Sequence, residues 1–259
     1  MLTKQKAITM LSMQDKMNTI INANWKDAGY NWMLAILVET VEGMEHHGWK
    51  WWKKQEIDYP QLRMELVDIW HFMLSHMLVE NQRYATYVPG THNDESLAMT
   101  IIHPASVGAQ NFDIPYNDNW YDAEQPLIDD LQLMAGMAAF GDYSLQLFSN
   151  IMNKACLSWD ELYSTYVAKN VLNQFRQANG YKIGSYIKDW TAVKLTHSQV
   201  DGRALEDNDH LHDIMLTVNP EEQDYAGTLM SHLGERYKSV VSNITKIDIN
   251  RDKTCLNPF

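Results

Sequence analysis

Apolar residues recur along most of the chain with the three- to four-residue spacing of amphipathic helices. In residues 4–24 the apolar positions Ile8, Leu11, Met17 and Ile21 follow the helical period. Further helices are predicted at about 30–54, 60–82, 127–155, 158–179, 205–217 and 220–243. Because no alternating strand pattern persists and no repeat is evident, the sequence predicts an all-α helical bundle.

Particular residues mark where some of these helices begin and end. Pro60 occupies a plausible first helical position. Ser158 and Glu161 have the spacing of a capping box, which should start a helix, and Gly180 is a natural stop for that helix. These signals therefore fix the expected boundaries of the third helix and of the helix at 158–179.

The helical pattern is interrupted between residues 84 and 126. Four of the seven prolines fall in this interval, together with Asn, Asp and Gly. We expect an irregular, variable insertion at about 84–126 that contains one short helix near Asp94–Ile102. Residues 181–201 are also mixed in pattern, and part of that segment could be extended.

Composition supports a globular helical protein. The chain has 259 residues, 45% of them hydrophobic and 21% charged, with only 12 glycines and 7 prolines. Long helices suit so few helix breakers, and this length suits one large domain, so we predict a single domain over residues 1–259.

Charge and cysteine content limit the partners and the compartment. The net charge is −12 without a dominant basic face, which argues against a nucleic-acid polymer as partner. Cys156 and Cys255 are far apart and form neither a disulfide framework nor a zinc pattern, as in a reducing compartment. The chain also lacks a signal-peptide core and a membrane-spanning apolar run. We therefore expect a cytoplasmic protein without a membrane partner.

Two pairs of carboxylates lie three residues apart inside apolar helices. Glu39 and Glu42 belong to LAILVETVEGM, and Glu65 and Asp68 belong to MELVDIWHFML. Residues three apart share a helix face, so antiparallel helices joined by a short connection would bring the two pairs face to face. Carboxylates surrounded by apolar residues are costly unless they are compensated. Four inward carboxylates would form an all-oxygen site that suits Mg²⁺, with Mn²⁺ as a substitute.

Two other interpretations of these acids are open. They could be solvated positions on amphipathic helices, because acids are seldom buried. Asp68 and His71 could form half of a di-iron site, which uses Glu-x-x-His on each of two helices. The second half is missing, because Glu45 stands three residues after Glu42. A hard-cation site is therefore favoured.

A basic helix face follows in YVAKNVLNQFRQANGYKIGSY, residues 166–186. Lys169, Asn173 and Arg176 lie at i, i+4 and i+7 on one face, and Lys182 comes just after Gly180. An amide between cationic groups suits a phosphorylated small molecule, whereas a solvated charged face is the plainer alternative.

Several separated motifs together resemble the dimeric, all-α dUTPases. These enzymes are a branch of the all-α nucleoside triphosphate pyrophosphohydrolases, which also include MazG-like enzymes and phage dCTPase/dUTPases. The resemblance rests on LSMQDKMN, Glu39-x-x-Glu42, GWKWWKK, ELVDIWHF, KNVLNQFRQANGYKIGSY and LEDN at 205–208. It implies an all-α pyrophosphohydrolase bundle, a homodimer, and Mg²⁺ bound by Glu39, Glu42, Glu65 and Asp68.

The resemblance also implies which residues bind the nucleotide. Gln14 and Asn18 match a pair near the base and sugar, and Trp51 and His71 match residues that line the pocket. The full implied set is Gln14, Asn18, Trp51, His71, Lys169, Asn173, Arg176, Tyr181, Lys182 and Asn208. Lys169 and Arg176 match phosphate contacts, and Asn173 matches the amide that reads the pyrimidine edge. Tyr181, Lys182 and Asn208 match motifs that close over the nucleotide. Because an amide can donate or accept, Asn173 alone does not decide between uracil and cytosine.

The expected reaction is Mg²⁺-dependent hydrolysis of dUTP to dUMP and pyrophosphate, extending to dUDP, in control of pyrimidine deoxynucleotide pools. Water would attack phosphorus in line, and Glu39, with Glu42 beside it, is the first candidate to help deprotonate that water. A dCTP/dUTP or broader nucleoside triphosphate pyrophosphohydrolase, a non-catalytic nucleotide-binding protein and an unrelated helical metal or interaction protein are the alternatives.

Other histidines and tryptophans receive no site role. Trp120, Trp159 and Trp190 are predicted to be packing residues. The histidines without a shared spacing that builds a site are His46, His47, His76, His103, His197, His210 and His212.

Overall fold

A computed structural model describes residues 2–87, 93–106, 110–197 and 204–255, with side chains as far as residue 243. The chain divides into two compact units, Met1–Tyr166 and Val167–Phe259. The predicted all-α class is confirmed. A single catalytic domain over 1–259 stays a prediction.

The first unit contains six complete helices among its described residues and the start of a seventh. They are α1 (Lys4–Ile21), α2 (Trp32–His47), α3 (Tyr59–Tyr87), α4 (Asp94–Ser106), α5 (Leu127–Ala139) and α6 (Leu145–Lys154), followed by α7 (Trp159–Ala178). Short 3₁₀ turns occupy Trp25–Asp27 in this unit and Tyr181–Ile183 in the second. The second unit continues α7 and adds α8 (Asp207–Met215) and α9 (Tyr225–Cys255).

Helix α3 is the centre of the first unit. Leu66, Val67, Ile69 and Trp70 are completely buried, so this helix is apolar on nearly all sides along its middle. The Trp70 ring stacks on Phe148 of α6, with centroids 5.4 Å apart. α2 packs on α3 and on α5, and α1 packs on α3 and α4. The acidic residues of α2 and α3 therefore lie on two helices that pack directly against each other.

Two helix ends follow the sequence signals and one does not. The Ser158 capping box forms, because the Glu161 carboxylate accepts from the Ser158 backbone N–H at 2.8 Å and the Ser158 hydroxyl accepts from the Glu161 N–H at 3.2 Å. Gly180 ends α7 with φ +91°. The helix predicted at 30–54 instead stops at His47, because Gly48 adopts φ +77° and breaks the helical bonding.

The mid-chain interval contains more regular structure than expected. α4 confirms the predicted short helix and extends it to Ser106. Strands β1 (Ile114–Tyr116) and β2 (Asn119–Tyr121) form an antiparallel hairpin, which sequence patterning missed. Asn117 and Asp118 connect the strands with φ values of 49° and 61°, the conformation of a two-residue hairpin turn. Residues 88–92 and 107–109 of the predicted insertion lie outside the described residues.

The stretch predicted as one helix at 127–155 is two helices. α5 ends at Ala139, Gly141 adopts φ +87°, and α6 begins at Leu145. The packing prediction holds for the buried Trp159 and Trp190 and is wrong for Trp120, whose side chain is 74% exposed on the hairpin. No described helix is both long enough and apolar enough to traverse a bilayer.

Candidate active site

The predicted acid pairs meet where α2 crosses α3. Gly43 lies buried at this crossing, and a Cβ there would sit 3.3 Å from Leu62 Cδ1, so the missing side chain lets the two helices approach closely. Carboxylate oxygens of Glu39, Glu42 and Glu65 all lie within 4.8 Å of one another. We call these three residues and Asp68 the acid cluster.

The acid cluster is strained by charge repulsion. Glu39 is half-buried, and Glu65 is only 9% exposed. Burial and the charges of Asp68, Glu65 and Glu42, in that order, raise the pKa of Glu39 from its ordinary 4.5 to about 8. A hydrogen bond between Glu39 and Glu65 also favours the protonated form. At neutral pH the Glu39 carboxyl therefore keeps a proton that offsets part of this repulsion.

The donor set of the cluster fits a hard divalent cation. Every group within the 4.8 Å triad offers carboxylate oxygen, which Mg²⁺ and Mn²⁺ prefer over nitrogen or sulfur. Asp68 lies outside that triad, but its charge is the second largest cause of the Glu39 shift, so it remains in the same field. A bound cation would offset the repulsion among these carboxylates.

A histidine beside the cluster was missed by sequence reasoning. His46 Nε2 lies 3.3 Å from Glu65 Oε1. His46 stands four residues after Glu42 on α2, so the same helix face carries it. The di-iron pattern places a histidine three residues after an acid, whereas His46 lies four residues after Glu42 and falls outside that pattern. The imidazole can orient the Glu65 carboxylate.

Glu45 and the tryptophans after α2 form a separate surface group. The Glu45 carboxylate accepts from Trp49 Nε1 at 2.8 Å and from the Lys50 ammonium, which turns it away from the acid cluster. Trp52 contacts both Trp49 and Trp51 edge to face, with centroids 5.3 and 5.4 Å apart. Trp51, the predicted pocket residue, is 89% exposed.

The predicted base-binding amides of the first unit form a buried polar network. Gln14 Nε2 and Asn18 Nδ2 each donate to Ser75 Oγ at 2.9 Å, and the Ser75 hydroxyl donates to the His71 carbonyl. Gln14 Oε1 accepts from the Tyr166 hydroxyl at 3.0 Å and contacts His71 Nδ1 at 2.8 Å. Because an amide oxygen only accepts, His71 Nδ1 carries the proton. Ser75 and Tyr166 therefore join the predicted residues as parts of this network.

The predicted basic face of the second unit is largely engaged by its own neighbours. Arg176 makes a bidentate ion pair with Asp207, from Nε to Oδ2 and from Nη2 to Oδ1, both at 2.8 Å. Arg176 Nη1 donates to Asn173 Oδ1 at 3.1 Å. Lys169 is 6% exposed and Asp207 is completely buried. The face is therefore not a solvated charged surface.

The remaining predicted residues lie after α7. Tyr181 is half-exposed and faces the Arg176 guanidinium, whose carbon is 6.0 Å from the ring centroid. Lys182 is exposed in the same 3₁₀ turn. Asn208 Oδ1 is buried and accepts no hydrogen bond within the described part of the chain. A buried acceptor of this kind calls for a donor from a ligand or from water.

Comparison with known proteins adds one match. A protein-family model described as dUTPase matches residues 6–181, about two thirds of the chain. The matched range includes the acid cluster, the buried amide network and the basic face of α7. A separate comparison with curated proteins found no match to the chain.

Proposed function

The chain belongs to the dUTPase family and hydrolyses dUTP, and from that premise we propose that the reaction depends on Mg²⁺ held by the acid cluster. Its products are then dUMP and pyrophosphate, with dUDP as a second substrate. The observation that carries the proposal is the triad of carboxylates within 4.8 Å of one another on two helices that pack together.

The acid cluster suits the charge of the substrate. A polyphosphate cannot approach carboxylates unless a cation lies between them, and Mg²⁺ commonly bridges carboxylates and phosphates. When bound, such an ion would offset phosphate charge and make water a better nucleophile. Glu42 and Glu39, whose own proton a bound cation would displace, are the first candidates to accept the proton from the attacking water. His46 would hold the Glu65 carboxylate in place through its contact at 3.3 Å.

Nucleotide contacts are proposed for amide groups of the first unit and, separately, for amide groups of the second unit. In the first unit Gln14 and Asn18 are fixed by Ser75, so their side chains are preorganised. In the second unit Asn173 reads the pyrimidine edge, and Asn208 Oδ1 offers an unsatisfied acceptor that supports a ligand contact. Lys169, Arg176 and Lys182 supply positive charge for phosphates.

A homodimer is also part of the proposal. On α2, Leu34, Val38 and Val41 form a stripe at helical spacing with exposures of 53%, 44% and 46%. Contiguous apolar side chains on a surface helix favour burial against a partner, and a second copy of the chain satisfies this. We further propose that the enzyme works in the cytoplasm and limits dUTP in the deoxynucleotide pool.

Steady-state hydrolysis tests the proposed substrate and cofactor together. dUTP, dUDP, dCTP, dTTP and UTP are each supplied with Mg²⁺, and pyrophosphate and phosphate are measured separately. We expect dUTP to be cleaved to pyrophosphate with Mg²⁺ and to persist in EDTA. Equal turnover of dUTP in EDTA would overturn the cation assignment, and faster turnover of dCTP than of dUTP would favour the dCTPase/dUTPase alternative.

A further inference from the structure

A buried carboxylate in α8 fixes the guanidinium of α7. Asp207 is completely buried, and both of its oxygens accept from Arg176, while the Tyr186 hydroxyl donates to Oδ2 at 2.8 Å. A planar guanidinium held by two parallel bonds has its orientation set as well as its position. The family match ends at residue 181, so Asp207 acts on this group from beyond it.

The fixed guanidinium in turn fixes an amide. Arg176 Nη1 donates to Asn173 Oδ1 at 3.1 Å. Arginine has five N–H donors and no acceptor, so the oxygen of Asn173, and not its nitrogen, must face it. A flipped Asn173 would set two amide N–H groups against the cation. The orientation of the Asn173 amide is therefore decided by Arg176, which removes the ambiguity of a free amide.

We propose that Asp207 and Arg176 are positioning residues that lock the Asn173 amide and thereby make the enzyme select uracil over cytosine. This inference rests on the proposed function, in which Asn173 reads the pyrimidine edge. Uracil presents an N3–H donor beside the O4 acceptor, whereas cytosine presents an N3 acceptor beside a 4-amino donor. A locked amide presents only one of these two patterns. Because the family substrate is dUTP, the pattern presented is the one for uracil, in which Oδ1 accepts from N3–H and Nδ2 donates to O4.

Cytosine meets the locked amide with both groups inverted. The amide could satisfy cytosine only by rotating. Rotation would break the hydrogen bond to Arg176 and turn the N–H groups of Asn173 toward those of the guanidinium. A site built to hydrogen-bond one pattern rejects the analogue that leaves its buried polar groups unpaired. Loss of one such pairing corresponds to about 10- to 100-fold in relative kcat/KM.

The test is the ratio of kcat/KM for dUTP to kcat/KM for dCTP in matched variants. Arg176→Gln replaces the obligate donor by an amide that can present either group, so we expect the ratio to fall about 10- to 100-fold. Arg176→Lys keeps an obligate donor and should retain most of the preference, even if the absolute rate falls. Arg83→Gln makes the same substitution on an exposed arginine of α3 and should leave the ratio unchanged.

The outcomes separate this inference from the proposed function. A purely structural role would lower kcat/KM for both substrates equally, and an unchanged ratio in Arg176→Gln would overturn the inference while dUTP hydrolysis stands. A wild-type enzyme that cleaves dCTP as well as dUTP would also overturn it. If circular dichroism shows that Arg176→Gln does not fold, Asp207→Asn is measured in its place. We expect a smaller fall in the ratio of kcat/KM for dUTP to that for dCTP. An unchanged ratio in this variant would again overturn the inference.

Discussion

Glu39→Gln should stabilise the metal-free protein at alkaline pH, because it removes a charge from the acid cluster. Two unit charges 4.8 Å apart repel by about 3.5 kcal/mol at an effective dielectric constant of about 20 and by about 0.9 kcal/mol in bulk water. The half-buried position of Glu39 and the exposed position of Glu42 place the site between these limits. We expect a gain of about 1–3 kcal/mol, or about 2–12 °C in Tm.

The gain should depend on pH in a defined direction. The folded chain keeps the Glu39 proton up to about pH 8, whereas the ordinary value of the group is 4.5. Between these values the folded state binds a proton that the unfolded state releases, so raising the pH lowers the stability of the wild type. Glutamine does not ionise. The difference between Glu39→Gln and wild type should therefore be small at pH 5 and largest at pH 9.

Thermal unfolding in EDTA measures this difference. Glu56→Gln is the matched control, because Glu56 is an exposed acid in the loop after α2 and outside the acid cluster. Its Tm should follow that of the wild type at both pH values. A Glu39→Gln variant that is no more stable than wild type at pH 9, or equally stabilised at pH 5 and pH 9, would refute the charge repulsion described above.

Three further substitutions test the supporting structure by urea denaturation. Asp207→Ala leaves the Arg176 guanidinium without its partner and should cost about 3–5 kcal/mol; a cost under about 1 kcal/mol would contradict the ion pair. Gly48→Ala forces an L residue into φ +77° and places Cβ 2.8 Å from Gln55 Cβ. It should lower the free energy of unfolding by about 1–3 kcal/mol. An unchanged urea midpoint would show that the loop relaxes. Ser75→Ala deprives the buried amides of Gln14 and Asn18 of their acceptor. It should lower the free energy of unfolding by about 1–3 kcal/mol, whereas a stabilised protein would mean that the amides find other partners.

The acid cluster illustrates what sequence pattern can predict. The two i, i+3 pairs needed only helical spacing and an apolar setting to be found. The pattern did not reveal that Gly43 permits the close crossing, because a mid-helix glycine gives no signal of what packs against it. His46 received no site role from the sequence, because its spacing to other residues of α2 builds no site. The contact with Glu65 depends on the neighbouring helix.

Long-range partners were beyond prediction for a physical reason. The partner of Arg176 is Asp207, 31 residues later in the chain. Nothing local distinguishes that aspartate from a solvated acid at the start of a helix. The end of α2 is the opposite case, because Gly48 was a visible stop signal. The apolar and basic residues after Gly48 obscured that signal, so the predicted helix ends seven residues too late.

The hairpin at 114–121 was missed because its strands are only three residues each. Such strands are too short for an alternating pattern to stand out from loop sequence. The Asn-Asp pair at its turn was the available signal, since these residues tolerate positive φ.

Release of pyrophosphate from dUTP during a Mg²⁺ titration tests the central claim most directly. Wild type and the Glu56→Gln control should gain activity together as Mg²⁺ rises from an EDTA-treated baseline. Glu42→Gln should require far more Mg²⁺ and reach a rate at least about 100-fold lower, since one carboxylate of the triad is neutral. Wild-type activity that is independent of Mg²⁺, or a Glu42→Gln enzyme with an unchanged titration curve, would contradict the account.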